Sequence, residues 1–193
     1  MTISFNPMAT TQPASSFLLQ TDGYIQGSFF DDPSSRMWLA TGQIASSVTQ
    51  PIWGGMAITE TIPTSNQLGN NLILATTEAN TTGFTVFNQA SNMIITPGNT
   101  VQQADAGMTI SYFRLGSNAR IAVQCDATLA ASLDGSDVNL QVAWDYTNQK
   151  LIAYISGTAL PVKVLALNTN SKIVSYSGGN VTWTTGDCAI IQL

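Results

Sequence analysis

The stretch "VNLQVAWDYTNQKLIAYIS" at residues 138–156 contains the clearest secondary-structure signal in the chain. Val138, Leu140, Val142 and Trp144 alternate with polar or small residues, which is the period of a strand with one buried face. "DYTNQ" then supplies turn-forming residues before a second apolar run, "KLIAYIS". The stretch therefore predicts a β-hairpin.

The segments that follow continue the β pattern to the end of the chain. "PVKVLAL" at residues 161–167 predicts a strand, and we expect the polar "NTNS" at 168–171 to break it before "KIVSY". "SGGN" at 177–180 predicts a tight hairpin turn because glycine adopts the positive φ that such turns need. "VTWT" and "DCAIIQL" are the expected strands after this turn.

Upstream of the first hairpin, "GFTVF", "MTISYF" and "RIAVQC" are further expected strands, and "TPGN" at 96–99 is an expected turn. One short helix is expected to start at Asp32-Pro33, where Asp can cap the first turn and Pro suits the first helical position. It would run through Leu39 and end at Gly42. The sequence thus predicts an all-β domain with little helix, either a sandwich or a barrel-like, jelly-roll-type fold.

"QPIWGGMAITETIP", Gln50 to Pro63, places Trp53 and two glycines ahead of a short strand between two prolines. Glycines let two backbones approach closely, and proline limits strand pairing at each end. We interpret the segment as an architectural corner rather than a catalytic turn. The strand after the corner is expected to place alternate side chains on one face: Met56, Ile58, Glu60 and Ile62.

The chain divides into two parts on composition. Residues 1–22 mix Thr, Ser, Pro and Gln with isolated apolar positions, which predicts an extended N-terminal arm or a frayed terminus. Residues 23–193 are expected to form a single β domain, with 96–107 as the plausible internal boundary.

Low charge is the most unusual feature of the composition. Charged residues are 9% of the chain, hydrophobic residues are 44%, and the net charge is -5 with six Lys and Arg. Nucleic-acid binding and acidic membranes both need clustered cations, so neither partner is expected. Protein interfaces are depleted in Lys, Glu and Asp, so the composition suits a permanently assembled subunit. An extracellular adhesin and a general bias of β proteins are the competing explanations.

The chemistry available to the chain is narrow because it contains no histidine. Histidine-based nucleophile pairs and zinc sites are therefore not expected. Glu60, Glu78 and Asp145 are the carboxylates that would have to pair for glycoside hydrolysis, and nothing in the sequence brings any two together. "LDGSDVN" at 133–139 clusters Asp134, Asp137 and Asn139 without the order of a calcium loop, so we expect a turn. The prediction is no enzyme, no cofactor and no metal.

Cys125 and Cys188 lack the spacing of a metal or redox motif. Two free buried thiols are expected, with a disulfide as the alternative. The first cation is Arg36, so no signal peptide is expected and the protein should be synthesised in a cytoplasm.

Aromatic residues offer two interpretations. The four Trp and five Tyr could form a sugar-stacking platform, but most lie within alternating strand patterns, which favours core packing. Trp53 differs because it lies at a bend.

Four segments in order resemble the structural cement proteins of tailed bacteriophages. The first is the Pro-aromatic-Gly-Gly stretch at Pro51 to Gly55, in which Ile52 separates the proline from Trp53, a departure from the family pattern. The others are "TGFTVFNQASNMI" (82–94), "YFRLGSNARIAVQCD" (112–126) and "LPVKVLALNTNSKIVSYSGGNVTW" (160–183). The resemblance covers about three-quarters of the chain, from about Asp31.

The resemblance implies a virion protein on the outer surface of an icosahedral head, commonly a homotrimer, that clamps adjacent subunits of the major capsid protein. A tail or fibre module that recognises cell-surface glycans is the main alternative, and a tail-tube or other internal virion subunit is a third. The residues expected to contact a neighbour are Phe5, Met8, Phe17 and Leu18 of the arm, and Trp53, Gly54, Gly55 and Met56 at the corner.

Overall fold

The computed structural model describes residues 23–30, 37–63, 69–87, 101–132 and 140–193. These residues form thirteen strands, one short helix and one 3₁₀ turn, which confirms the all-β prediction. The strands are β1 (Phe29–Phe30), β2 (Leu39–Ile44), β3 (Ile52–Trp53), β4 (Ala57–Thr61), β5 (Asn71–Leu74), β6 (Gly83–Val86), β7 (Gln103–Ala104), β8 (Thr109–Arg114), β9 (Arg120–Gln124), β10 (Val142–Asp145), β11 (Lys150–Ala153), β12 (Lys163–Ser177) and β13 (Asn180–Gln192). The helix α1 is Ala127–Ser132, and the 3₁₀ turn is Glu78–Asn80. No helix of the described segments has the length and apolar character needed to cross a membrane.

Five strands close a barrel in the order β2-β5-β4-β6-β8, so the barrel-like form of the prediction is the one found. Its strands pair antiparallel except for the parallel pair of β2 and β5. Successive side chains of a strand point to opposite faces, and here the two faces enter different clusters. Ile58 belongs to one buried cluster with Ile110 and Tyr112, whereas Ala57 belongs to a second. Met56 lies with Ile58, as the strand period predicted.

The second cluster joins the barrel to a four-stranded sheet of order β1-β9-β13-β12 and to the β10-β11 hairpin. Phe113 of the barrel makes an edge contact with Phe29, their ring centroids 5.6 Å apart. Phe84 makes a similar contact with Trp144 of the hairpin at 4.9 Å. One continuous core therefore lies between the barrel and the sheet.

The predicted hairpin at 138–156 is confirmed over β10 and β11, which pair from Val142 with Ala153 to Asp145 with Lys150. Its turn is organised by the Asp145 carboxylate, which accepts the backbone N–H groups of Thr147 and Asn148 at 2.9 and 3.0 Å. This is the local side-chain bonding that makes Asp a turn residue.

The expected break at "NTNS" is wrong. Lys163–Ser177 is one strand that pairs with β13 along its length, with register shifts between Val164 and Ala166 and between Asn168 and Ser171. Asn168 Oδ1 accepts the N–H of Asn170 at 2.7 Å, so a local bond takes over where ladder pairing is interrupted. The polar residues therefore form a bulge instead of a turn. The glycine turn that follows is as predicted, with φ of 58° at Gly178 and 85° at Gly179.

The helix expected from Asp32-Pro33 to Gly42 is also wrong over its described part. Leu39–Ile44 is strand β2, which pairs with β8 on one side and β5 on the other. Closure of the barrel requires this strand, and pairing on both edges outweighs the local helix signal at its start.

Several predictions fall on residues outside the described segments. These are the arm at residues 1–22, the start of the helix at Asp32-Pro33, the turn at 96–99, and Asp134, Asp137 and Asn139. Of the candidate boundary at 96–107, the described part includes β7, which pairs with β3 next to the corner.

Candidate functional site

The corner at Trp53 to Gly55 is a point of close backbone contact. A Cβ atom at Gly54 would lie 2.7 Å from Gly27 Cα, and Gly27 is fixed by hydrogen bonds to Ala122 and Phe87. Gly55 has φ of +84°, a value that favours glycine. The thioether sulfur of Met56 accepts a hydrogen bond from the backbone N–H of Trp53 at 3.3 Å. These contacts make the segment an architectural corner, as its sequence predicted.

The same geometry buries the corner. Trp53, Gly54, Gly55 and Met56 are all buried within the chain itself. They fix the meeting of barrel and sheet, and of the four only Trp53 also lines a groove of the described chain. The arm candidates Phe5, Met8, Phe17 and Leu18 lie outside the described residues.

The three carboxylates considered for catalysis have separate structural roles. Glu60 Oε1 accepts a hydrogen bond from Arg114 Nε at 2.6 Å, and Asp145 organises the hairpin turn. Glu78 lies in the 3₁₀ turn. The Tyr112 hydroxyl lies next to Glu60. Burial, followed by a hydrogen bond to the Glu60 carboxylate, raises the pKa of this hydroxyl to about 12. The cluster around Glu60 is therefore an ion pair with a neutral tyrosine at the barrel wall.

The described residues contain no group of three or more His, Cys, Asp or Glu side chains placed to hold a metal ion. Cys125 and Cys188 are free and buried, which confirms the prediction of two unpaired thiols. Burial raises the pKa of the Cys125 thiol to about 12, and it raises that of Cys188 further above the ordinary range. Both side chains act as small apolar residues of the core.

We expect neither thiol to react in the folded protein, because the reactive species is the thiolate and both pKa values are raised. With a chromogenic disulfide at pH 8, fewer than about 0.2 thiols per native chain should react. Both thiols should react when the chain is unfolded in about 6 M guanidinium. Rapid reaction of one thiol in the native state would contradict the buried placement.

A polar groove lies where the long hairpin of β12 and β13 meets the turn between β10 and β11 and the corner. It has a volume of about 350 Å³. We call it the amide groove and define it by these lining residues: Gln50, Trp53, Gln124, Thr147, Asn148, Gln149, Lys150, Ile173, Val174, Ser175, Tyr176 and Thr184. No local pattern in the sequence predicts this groove, because its residues come from segments far apart in the chain.

Lys150 at the edge of the amide groove is paired. Its Nζ lies 2.5 Å from Asp126 Oδ2, and Asp126 also accepts the N–H and hydroxyl of Thr128. The hydrogen bond from Lys150, followed by those from Thr128, holds the pKa of the Asp126 carboxyl far below its usual range. The ion pair leaves the groove close to neutral.

Large apolar side chains are exposed elsewhere on the chain. Met37, Trp38, Ile62 and Ile155 expose 86%, 65%, 90% and 89% of their surface. Ile62 was expected on the same strand face as Met56 and Ile58, but the strand ends at Thr61 and the Ile62 side chain lies in solvent. Each of these side chains is accessible to solvent in this conformation.

Fold and site together define an all-β protein built on a closed five-stranded barrel, with a neutral groove and exposed apolar residues. Comparison with known protein families, characterised proteins and solved structures found no match. The resemblance to phage cement proteins stays a hypothesis that rests on the four sequence segments.

Proposed function

We propose that the chain is a non-enzymatic structural protein of a phage particle, a capsid decoration or cement protein. It binds the outer surface of the head and stabilises contacts between major capsid protein subunits. Its partners are the major capsid protein and further copies of itself in a homotrimer, and it needs no cofactor.

The observation that carries the proposal is the exposure of Met37, Trp38, Ile62 and Ile155 in a chain with only 9% charged residues. Charged groups are costly to desolvate, so a charge-poor surface is suited to burial in a permanent interface. Aromatic and Met side chains are enriched in such interfaces. The four-segment resemblance to cement proteins supports the same function.

Attachment through several weak contacts is the mechanism that this surface favours. A cement protein engages a curved lattice at repeated sites, and linking several contacts raises the effective affinity without a stronger individual contact. The polar, proline-containing sequence of residues 1–22 is suited to supplying one such contact per subunit, with Phe5, Met8, Phe17 and Leu18 filling pockets on a neighbour.

We therefore expect deletion of residues 1–20 to leave a folded β core but to weaken attachment to heads by about tenfold or more. The measurement is co-sedimentation of purified protein with heads that lack it, together with the temperature at which decorated heads release DNA. Circular dichroism of the deleted form controls for folding. Unchanged occupancy and unchanged head stability would remove the arm from the mechanism.

The exposed apolar residues are tested separately by Trp38→Ser and Ile62→Ser. Thr182→Ala and Thr185→Ala are matched controls, because these residues are also exposed but polar. Loss of attachment in an apolar variant alone supports the proposal. Reproducible binding of the unaltered protein to host envelope, with no affinity for heads, would instead favour a glycan-recognising tail or adhesin module.

A further inference from the structure

Three parts of the fold supply the walls of the amide groove. One wall is the β12 segment Ile173–Tyr176 with Thr184 of β13, and another is the turn at 147–150 with Gln124 at the end of β9. The third part consists of Trp53 at the corner and Gln50, which lies three residues before it. Because the corner and the turn are each fixed by buried hydrogen bonds, these two walls of the groove are preformed. Its volume of about 350 Å³ lies in the range of small-molecule sites.

The groove presents polar side chains that are not committed to the fold. Asn148 and Gln149 are engaged within the turn. Five others make no side-chain hydrogen bond within the described part of the chain: Gln50, Gln124, Thr147, Ser175 and Thr184. Amides and hydroxyls both donate and accept hydrogen bonds. This mixed pattern matches the hydroxyl groups of a sugar, which also do both.

Charge narrows the ligand class. Lys150 is the one charged residue among the described residues that line the groove, and its ammonium is paired with Asp126. Phosphate and carboxylate ligands are ordinarily held by arginine forks or by several cations. The groove has neither, so a neutral ligand suits it best.

An aromatic surface completes the groove. Tyr176 is 40% exposed, and its ring lies 5.8 Å from the buried ring of Trp53. Tyr176 lines the groove, so the exposed part of its side chain is available to a ligand there. The negative face of an aromatic ring attracts the C–H face of a sugar, and the surrounding amides bind its hydroxyls.

From these observations we propose that the amide groove binds a neutral carbohydrate, about one or two sugar rings of a longer glycan. This binding activity is additional to the proposed capsid attachment, because none of Met37, Trp38, Ile62 and Ile155 lines the groove. A head-bound protein with such a site would hold the particle against glycan-coated surfaces.

The test titrates the ¹⁵N-labelled full chain with maltotriose, cellotriose and triacetylchitotriose, and with glucose 6-phosphate and sialyllactose as anionic probes. We expect at least one neutral probe to bind with a dissociation constant of about 1 mM or below, and more tightly than the anionic probes. Resonances of Gln124, Ser175 and the Trp53 indole should shift. The proposal is overturned if no neutral probe binds below about 10 mM, if the anionic probes bind better, or if the shifts lie outside the groove.

Variants then test the site itself. Tyr176→Ser should weaken binding about tenfold, whereas Tyr154→Ser, at a tyrosine outside the groove, should leave it unchanged. Ser175→Trp adds bulk at an exposed position and should abolish binding without removing any hydrogen bond of the fold. Thermal unfolding of each variant separates loss of binding from loss of structure. Wild-type affinity in both Tyr176→Ser and Ser175→Trp would overturn the proposal.

Discussion

Gly54→Ala should lower the free energy of unfolding by about 3 kcal/mol or more, although it adds only one methyl group. The new Cβ would lie 2.7 Å from Gly27 Cα and 3.2 Å from the backbone nitrogen of Phe87. Both neighbours are backbone atoms, so no side-chain rotation relieves the overlap. Gly27 cannot move away without breaking hydrogen bonds, because its N–H donates to the carbonyl of Ala122 and its carbonyl accepts the N–H of Phe87. The corner would open and weaken the junction of barrel and sheet.

Gly116→Ala is the matched control for this prediction. Gly116 has φ of +83° and nothing within 4 Å of a Cβ built there, so the substitution adds conformational strain without a clash. We expect a loss of about 1 kcal/mol. Urea denaturation followed by circular dichroism measures both variants. Equal losses at the two sites would show that the close approach at the corner has no energetic weight.

The corner also shows how far sequence reasoning reaches in this chain. The two glycines after Trp53 predicted a close backbone approach, because only a residue without a side chain permits one. The partner, Gly27, carries no local signal in the sequence, since the contact joins segments that are distant along the chain. The need for glycine is thus readable from sequence, whereas the identity of the neighbour depends on the fold.

The two errors in secondary structure have a related cause. Asp32-Pro33 is a strong local start for a helix, and "NTNS" is a strong local turn. In the fold, β2 is held by strands on both edges, and β12 continues through Asn168 and Ser171 because β13 pairs with it on either side of the bulge. Non-local pairing outweighs a local preference of a few tenths of a kcal/mol per residue.

The amide groove was beyond sequence reasoning for a different reason. Gln124 and Thr184 have no pattern in common, and each is an ordinary polar residue near a strand end or on an exposed strand face. Only the packing of the long hairpin against the hairpin turn places them at one cavity. Trp53 was singled out by its bend, whereas its place beside Tyr176 in the wall of the groove depends on the fold.

Gln149→Met should lower the free energy of unfolding by about 3 kcal/mol. The Gln149 side chain is buried, and its Oε1 accepts the backbone N–H of Ala57 at 3.0 Å and the indole N–H of Trp144 at 3.3 Å. Its Nε2 donates to the carbonyl of Tyr146 at 2.9 Å. Methionine has nearly the same shape but neither donates nor accepts well, so two buried donors and one acceptor would lose their partner.

The loss of stability in Gln149→Met should exceed that from removing a surface hydrogen bond, because Gln149 joins the turn between β10 and β11 to strand β4 of the barrel. Gln124→Met is the matched control, because this amide makes no side-chain hydrogen bond to any residue that the structure describes; the substitution is expected to cost less than about 0.5 kcal/mol. Urea denaturation measures the two losses, and hydrogen exchange at the Ala57 amide and Trp144 indole reports on the bonds themselves. Faster exchange at both sites in Gln149→Met alone is the expected result. If both variants lost equal stability with exchange unchanged, the buried amide would not be what holds the hairpin to the barrel.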